Sequence, residues 1–141
     1  MRYGYRVIFA AAVLALALSP AMAGDVKIIA NSGVAASNVS ADELKNVFLA
    51  TKTSLSDGSH VEPVLAKGGP VHEEFVKAYL GKTDAALQTY YRSLVFTGKA
   101  SMPKAFGTDA EVVAYVAKTK GAIGYVSSGA GTAGVKVLEV Q

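Results

Sequence analysis

The sequence predicts an α/β fold, with a mixed, mostly parallel sheet flanked by helices. Three observations point there. Short apolar runs of strand length alternate with longer segments of helical period, an order that favours strands joined by covering helices. The 141 residues suit one ordinary domain with one core. Half the chain (51%) is apolar and only 18% is charged, which is too apolar for a disordered polymer.

The first segment is read separately. Met1–Arg6 carries Arg2 and Arg6, Val7–Leu18 is a twelve-residue apolar run, and Ser19-Pro20 breaks it ahead of Ala21-Met22-Ala23. A basic start, a short apolar stretch and an A-x-A site make residues 1–23 a cleavable signal peptide, too short to span a bilayer comfortably. The expectation is a periplasmic or secreted protein of residues 24–141. No second apolar stretch of about 20 residues follows, so no transmembrane segment is expected after leader removal. Without Arg2 and Arg6 the chain has 12 basic and 11 acidic side chains, a net of +1. The basic balance thus belongs mainly to the leader, and no nucleic-acid partner is expected.

Val26–Ala30 reads as a strand, closed by the turn residues Asn31-Ser32-Gly33. Ser40 to Glu43 has the spacing of a capping box, and Leu44, Val47 and Phe48 then share one helical face. Asp57-Gly58 marks a turn. Val61–Leu65 is a short apolar run whose Pro63 lacks an amide donor, which predicts an edge or irregular strand. Lys67-Gly68-Gly69 forms a loop, with Pro70 placed for the first turn of a helix. Val71, Phe75, Ala78 and Tyr79 are expected to line that helix, which Gly81 stops.

Thr83 can cap the next helix, and Leu87, Tyr90, Tyr91, Leu94 and Val95 give the strongest helical period in the chain. Thr108 to Glu111 is a second capping-box pattern, ahead of Val112, Val113 and Val116. Gly121–Val126 reads as a buried strand, Ser127–Gly134 as a small-residue loop and Val135–Val140 as a final strand. The expected order is strand, helix, strand, three helices, strand, strand.

Little in this pattern points to catalysis. The absence of Cys excludes disulfides, thiolate metal sites and a thiol nucleophile. His60 and His72 are the only histidines and have no metal-ligand spacing, so neither a metal nor another cofactor is expected, and both read as surface or helix-start residues. No G-x-S-x-G elbow accompanies the serines. Tyr90 and Tyr91 read as packing residues. The segment with a chemical signal is Lys67-Gly68-Gly69: a glycine loop feeding a helix start offers amide donors to an anion, and Lys67 adds charge. Ser127 and Ser128 form a second polar cluster at a strand's carboxyl end, where open α/β sheets place ligands.

Several of these segments together resemble a known family. They are Ser40-Ala41-Asp42-Glu43-Leu44-Lys45-Asn46-Val47-Phe48-Leu49, Asp57-Gly58, Val61-Glu62-Pro63-Val64, Phe75-Val76-Lys77-Ala78-Tyr79-Leu80, Val95-Phe96-Thr97-Gly98, Pro103 and Gly121-Ala122-Ile123-Gly124-Tyr125-Val126. This set resembles the phosphate ABC transporter substrate-binding proteins of the type 2 periplasmic binding fold. The resemblance implies a single lobe, since full-length members close two lobes around their ligand and this chain has the length of one. It also implies an Arg and a Ser-Gly-Thr triplet ahead of Phe75. Counted back without gaps, the triplet positions hold Gly69, Pro70 and Val71, and the Arg position holds Leu65. The charge-assisted donors that grip an oxyanion are therefore missing.

The expectation is an exported, non-catalytic, solute-binding-like module. It would hold phosphate or another oxyanion weakly through Lys67, Gly68, Gly69, Ser127 and Ser128. The alternative is a ligand-free interaction protein that docks on an envelope or transport complex or associates with itself.

Overall fold

A computed structural model describes residues 26–141; the leader reading falls on residues outside them. Six strands form one sheet in the order β2-β6-β1-β5-β3-β4. The elements are β1 (Val26–Asn31), β2 (Asn38–Val39), α1 (Ala41–Phe48), β3 (Glu62–Ala66), α2 (Pro70–Phe75) with a π-helical continuation (Val76–Leu80), α3 (Asp84–Phe96), β4 (Lys104–Phe106), α4 (Asp109–Lys118), β5 (Ala122–Ser127) and β6 (Val135–Val140). Three of the five strand pairings are parallel: β2 with β6, β3 with β4 and β3 with β5. The first long strand, β1, lies between the last two and runs antiparallel to both.

Local chemistry sets the helix starts. The Ser40 hydroxyl accepts from the Glu43 amide at 3.1 Å while the Glu43 carboxylate takes the Ser40 amide at 3.1 Å, completing the capping box. Glu43 also accepts from the Ser56 amide at 2.8 Å, tying the 51–59 loop to the helix start. At Thr83 and Thr108 the hydroxyl accepts from the amide three residues on. Only this half of the expected second box forms at Thr108.

Two apolar layers cover the sheet. The larger joins β1, β3 and β5 to α1, α2 and α3 through Phe48, Leu65, Phe75, Tyr91 and Tyr125. The smaller seats Val112 and Val116 of α4 on Ile29, Val64 and Val126. Gly124 permits that seat, because a Cβ there would come within 3.2 Å of Val112. Asn31 closes the far end: its side-chain amide donates to the Val116 carbonyl at 2.9 Å and its oxygen accepts from the Gly33 amide at 2.9 Å.

The structure corrects four sequence expectations. Strand β3 is interior, not an edge; Pro63 is tolerated because β4 runs beside Val64–Ala66 only, leaving Pro63 no ladder bond to break on that side. Strands β2 and β4 had no signal: two and three residues are too few to show an alternating pattern. The buried stripe after Pro70 is His72, Phe75, Val76 and Leu80, while Ala78 is exposed and Tyr79 half-buried, because the π-helical turn rotates the face. Finally, Val95 is exposed, since α3 runs past the edge of the core it packs on.

Candidate functional site

The three parallel neighbours β5, β3 and β4 end at one edge of the sheet. Glu62 pairs with Ala122 and Pro63 with Ile123, a register that, carried forward, sets Lys67 level with Ser127. Ala66 pairs with Phe106 on the other side, and the Lys67 amide donates to the Phe106 carbonyl at 2.8 Å. Two helices begin at this edge, α2 behind Gly69 and α4 behind Thr108, one on each face of the sheet. Their positive ends flank the carboxyl ends of parallel strands, the position where α/β sheets receive ligands.

All five sequence-predicted residues lie at this edge. Gly68 and Gly69 have φ of 99° and 92°, values that a side chain would strain, and a Cβ at either would meet nothing within 4 Å. Their backbone is therefore open to an approaching group. Lys67 is exposed beside them. Ser127 differs, for its donors are already engaged. Its hydroxyl donates to Asp109 Oδ2 at 2.7 Å and its amide donates to the same oxygen at 3.3 Å. An internal carboxylate thus takes up both donors of Ser127. Ser128 is exposed in the following turn.

Behind the loop lies a buried polar chain that the sequence did not announce. His72 is 1% exposed, in the first turns of α2. Its Nε2–H donates to Asp84 Oδ1 at 2.7 Å, and its Nδ1 faces the Tyr125 hydroxyl. The Ala66 amide donates to the same hydroxyl oxygen at 3.0 Å. In the neutral ring the proton count is closed: Tyr125 O–H donates to Nδ1, and Nε2–H donates to the carboxylate. The chain runs from Ala66, one residue before the Lys67 loop, to Asp84. The exposed side of Asp84 opens on a surface hollow of about 640 Å³ lined also by Glu73, Lys77, Lys82 and Thr83. Phe75 stacks on the Tyr125 ring at 3.9 Å and 9°.

The electrostatics follow the contacts. The hydrogen bond from His72 holds the Asp84 carboxyl below its ordinary value of 3.8, against a smaller opposing effect of burial. Burial pushes the Tyr125 hydroxyl up, so it stays a neutral donor. Because the native value of Asp84 is depressed, its stabilising contribution is complete above the unfolded value and is lost as pH falls through the native one. Thermal melts should therefore be insensitive to Asp84 from pH 7 to 5 and should fall below pH 3.8. Asp84→Asn should flatten part of that acid limb; an unchanged limb would separate Asp84 from it.

His60 is exposed and lies away from this edge, in the 53–60 segment where it bridges Ser54. Among the described residues no group of three or more His, Cys, Asp or Glu side chains could hold a metal ion. His72 was read as a surface or helix-start residue; it does stand at a helix start, but in the core. Its period with Phe75 and Val76 was the one signal available.

The site and the fold define a class: a single α/β lobe with a glycine loop at the carboxyl edge of its parallel strands. The solved structures that share this fold include proteins of phosphate transport. An ABC-type phosphate transport receptor from Vibrio cholerae shares 14% identity at a TM-score of 0.54, over 82% of this chain and 46% of its own. PstS from Borrelia burgdorferi shares 12% at a TM-score of 0.58, over 83% and 47%. A phosphate-bound structure from Clostridium perfringens, described as a phosphate ABC transporter substrate-binding protein, shares 13% at a TM-score of 0.61, over 82% and 44%. The chain thus spans less than half the length of each. No family model matches the chain, and no curated protein matches it.

Proposed function

We propose that the protein is an exported, non-catalytic module related to the phosphate-binding proteins, and that it holds phosphate or another oxyanion weakly. In this reading residues 1–23 are removed and 24–141 form one domain. The observation that carries the reading is the open Lys67-Gly68-Gly69 loop at the start of α2, on the strand edge where the fold receives ligands. Lys67 supplies charge, and the backbone of Gly68 and Gly69 supplies close approach. The affinity is low because no guanidinium or hydroxyl stands at Leu65, Gly69, Pro70 or Val71. Described residues include no helix long and apolar enough to cross a membrane.

Calorimetric titration of residues 24–141 with phosphate, sulfate and acetate tests this. The expected result is phosphate or sulfate binding with a Kd near about 1 mM, or roughly −4 kcal/mol, weakened about threefold or more by Lys67→Ala. Silence toward all three anions overturns it.

One observation favours a second reading. The Ser127 hydroxyl and amide are already held by Asp109, so that half of the anion cradle is filled from within. The protein would then be a ligand-free interaction module that docks on an envelope or transport complex or associates with itself. Silent titrations together with a partner lost on mutating the 67–69 loop support that reading.

A further inference from the structure

The far end of α3 carries a feature that anion binding does not use. Phe96 is 93% exposed, and Val95 and Met102 are 47% and 45% exposed. These are three of the four exposed large hydrophobic residues among those described. They fall within eight consecutive positions, so the exposed large apolar side chains concentrate in one short segment of the chain. The turn that follows is folded tightly back: the Lys99 amide donates to the Leu94 carbonyl at 2.9 Å, with Gly98 at a φ of 70°. Phe96 therefore sits at a structured, protruding helix end.

The stretch of chain around it carries charge of one sign. Residues 85–108 carry Arg92, Lys99 and Lys104 and no acidic side chain, whereas the rest of 24–141 has nine basic and eleven acidic residues. Arg92, Val95 and Phe96 follow the i, i+3, i+4 spacing of one face of the Asp84–Phe96 helix, Lys99 follows in the turn just past its end, and all four are exposed. The helix end thus carries an exposed aromatic ring with a cation one turn before it and another three residues after it.

We propose that this face docks on an anionic lipid surface, with Phe96 and Val95 entering the headgroup boundary and Arg92 and Lys99 pairing with lipid phosphates. A ring with almost no protein neighbour gains most from a deformable apolar medium that needs no preformed pocket. The cations on either side add attraction to an anionic leaflet and none to a neutral one. The inference does not depend on oxyanion binding at the 67–69 loop, which lies at the opposite end of the Asp84–Phe96 helix from Phe96.

Vesicle co-sedimentation tests it, using residues 24–141, which contain the whole described fold and lack the apolar leader. Vesicles of phosphatidylglycerol and phosphatidylcholine in equal parts are compared with vesicles of phosphatidylcholine alone. The expected result is binding to the anionic vesicles only, reduced about tenfold by Phe96→Ser and about tenfold by Lys99→Glu, and abolished by high salt. Both variants should melt like the parent, because neither side chain is buried. Three results would overturn the proposal: no binding to anionic vesicles, equal binding to neutral ones, or binding that Phe96→Ser leaves unchanged. A Phe96-dependent dimer by light scattering without vesicle binding would assign the face to a second copy instead.

Discussion

Truncating Phe75 to alanine should lower the unfolding free energy by about 3–5 kcal/mol. The ring is fully buried and joins three aromatic neighbours: stacked on Tyr125 at 3.9 Å, edge-on to Phe48 at 4.8 Å and tilted against Tyr79 at 5.4 Å. Its loss opens a void in the layer between sheet and helices that also supports His72 and the Tyr125 hydroxyl. Domains of this size have only about 5–15 kcal/mol in total, so the variant should stand near its unfolding threshold at ambient temperature. Phe75→Leu, which keeps most of the volume, should lose about 1 kcal/mol. Urea denaturation followed by circular dichroism measures both. A loss under 1 kcal/mol for Phe75→Ala would show that the aromatic cluster is not packed as described.

Gly121→Ala should be nearly as severe, at about 2–4 kcal/mol. Two independent costs meet there. Gly121 has a φ of 81°, where a side chain is strained, and a Cβ would lie 2.7 Å from the His60 carbonyl oxygen. That atom belongs to the backbone leading into β3, and the Gly121 carbonyl accepts from the Glu62 amide at 2.8 Å. Neither strand can retreat without breaking the pairing that brings Lys67 and Ser127 to one edge. Gly58→Ala provides the comparison: its φ is 88°, but a Cβ would meet nothing within 4 Å, so only the backbone strain of about 1–2 kcal/mol applies. Equal losses for the two variants would remove the steric half of the argument.

The parts of this molecule that were legible in the sequence are those whose causes are local. Ser40 and Glu43 are three residues apart, and their reciprocal hydrogen bonds follow from that spacing alone. Pro70 at a helix start, Gly81 at a helix end and the final strand Val135–Val140 are of the same kind. Ser127 at a strand's carboxyl end and Lys67–Gly69 as a loop feeding a helix start followed from the neighbouring runs in the chain. What the sequence could not carry were contacts made across the fold. His72 meets Tyr125 at a separation of 53 residues, and nothing near either marks the other. Asp109 takes the donors of Ser127 across 18 residues. Val95 has the right period for a core residue, yet periodicity does not say where the core stops.

The placement of β1 has a consequence for how the chain comes together. Its partners are the last two strands, so the sheet's middle stays open until residues 122–140 are available. Contacts spanning nearly the whole described length make closure slow relative to local helix formation. A chain synthesised from its amino end therefore cannot zip up its centre early. Both pairing edges of β1 stay uncovered until residues 122–140 have been made, so an interior strand of the sheet stands without a partner through most of synthesis.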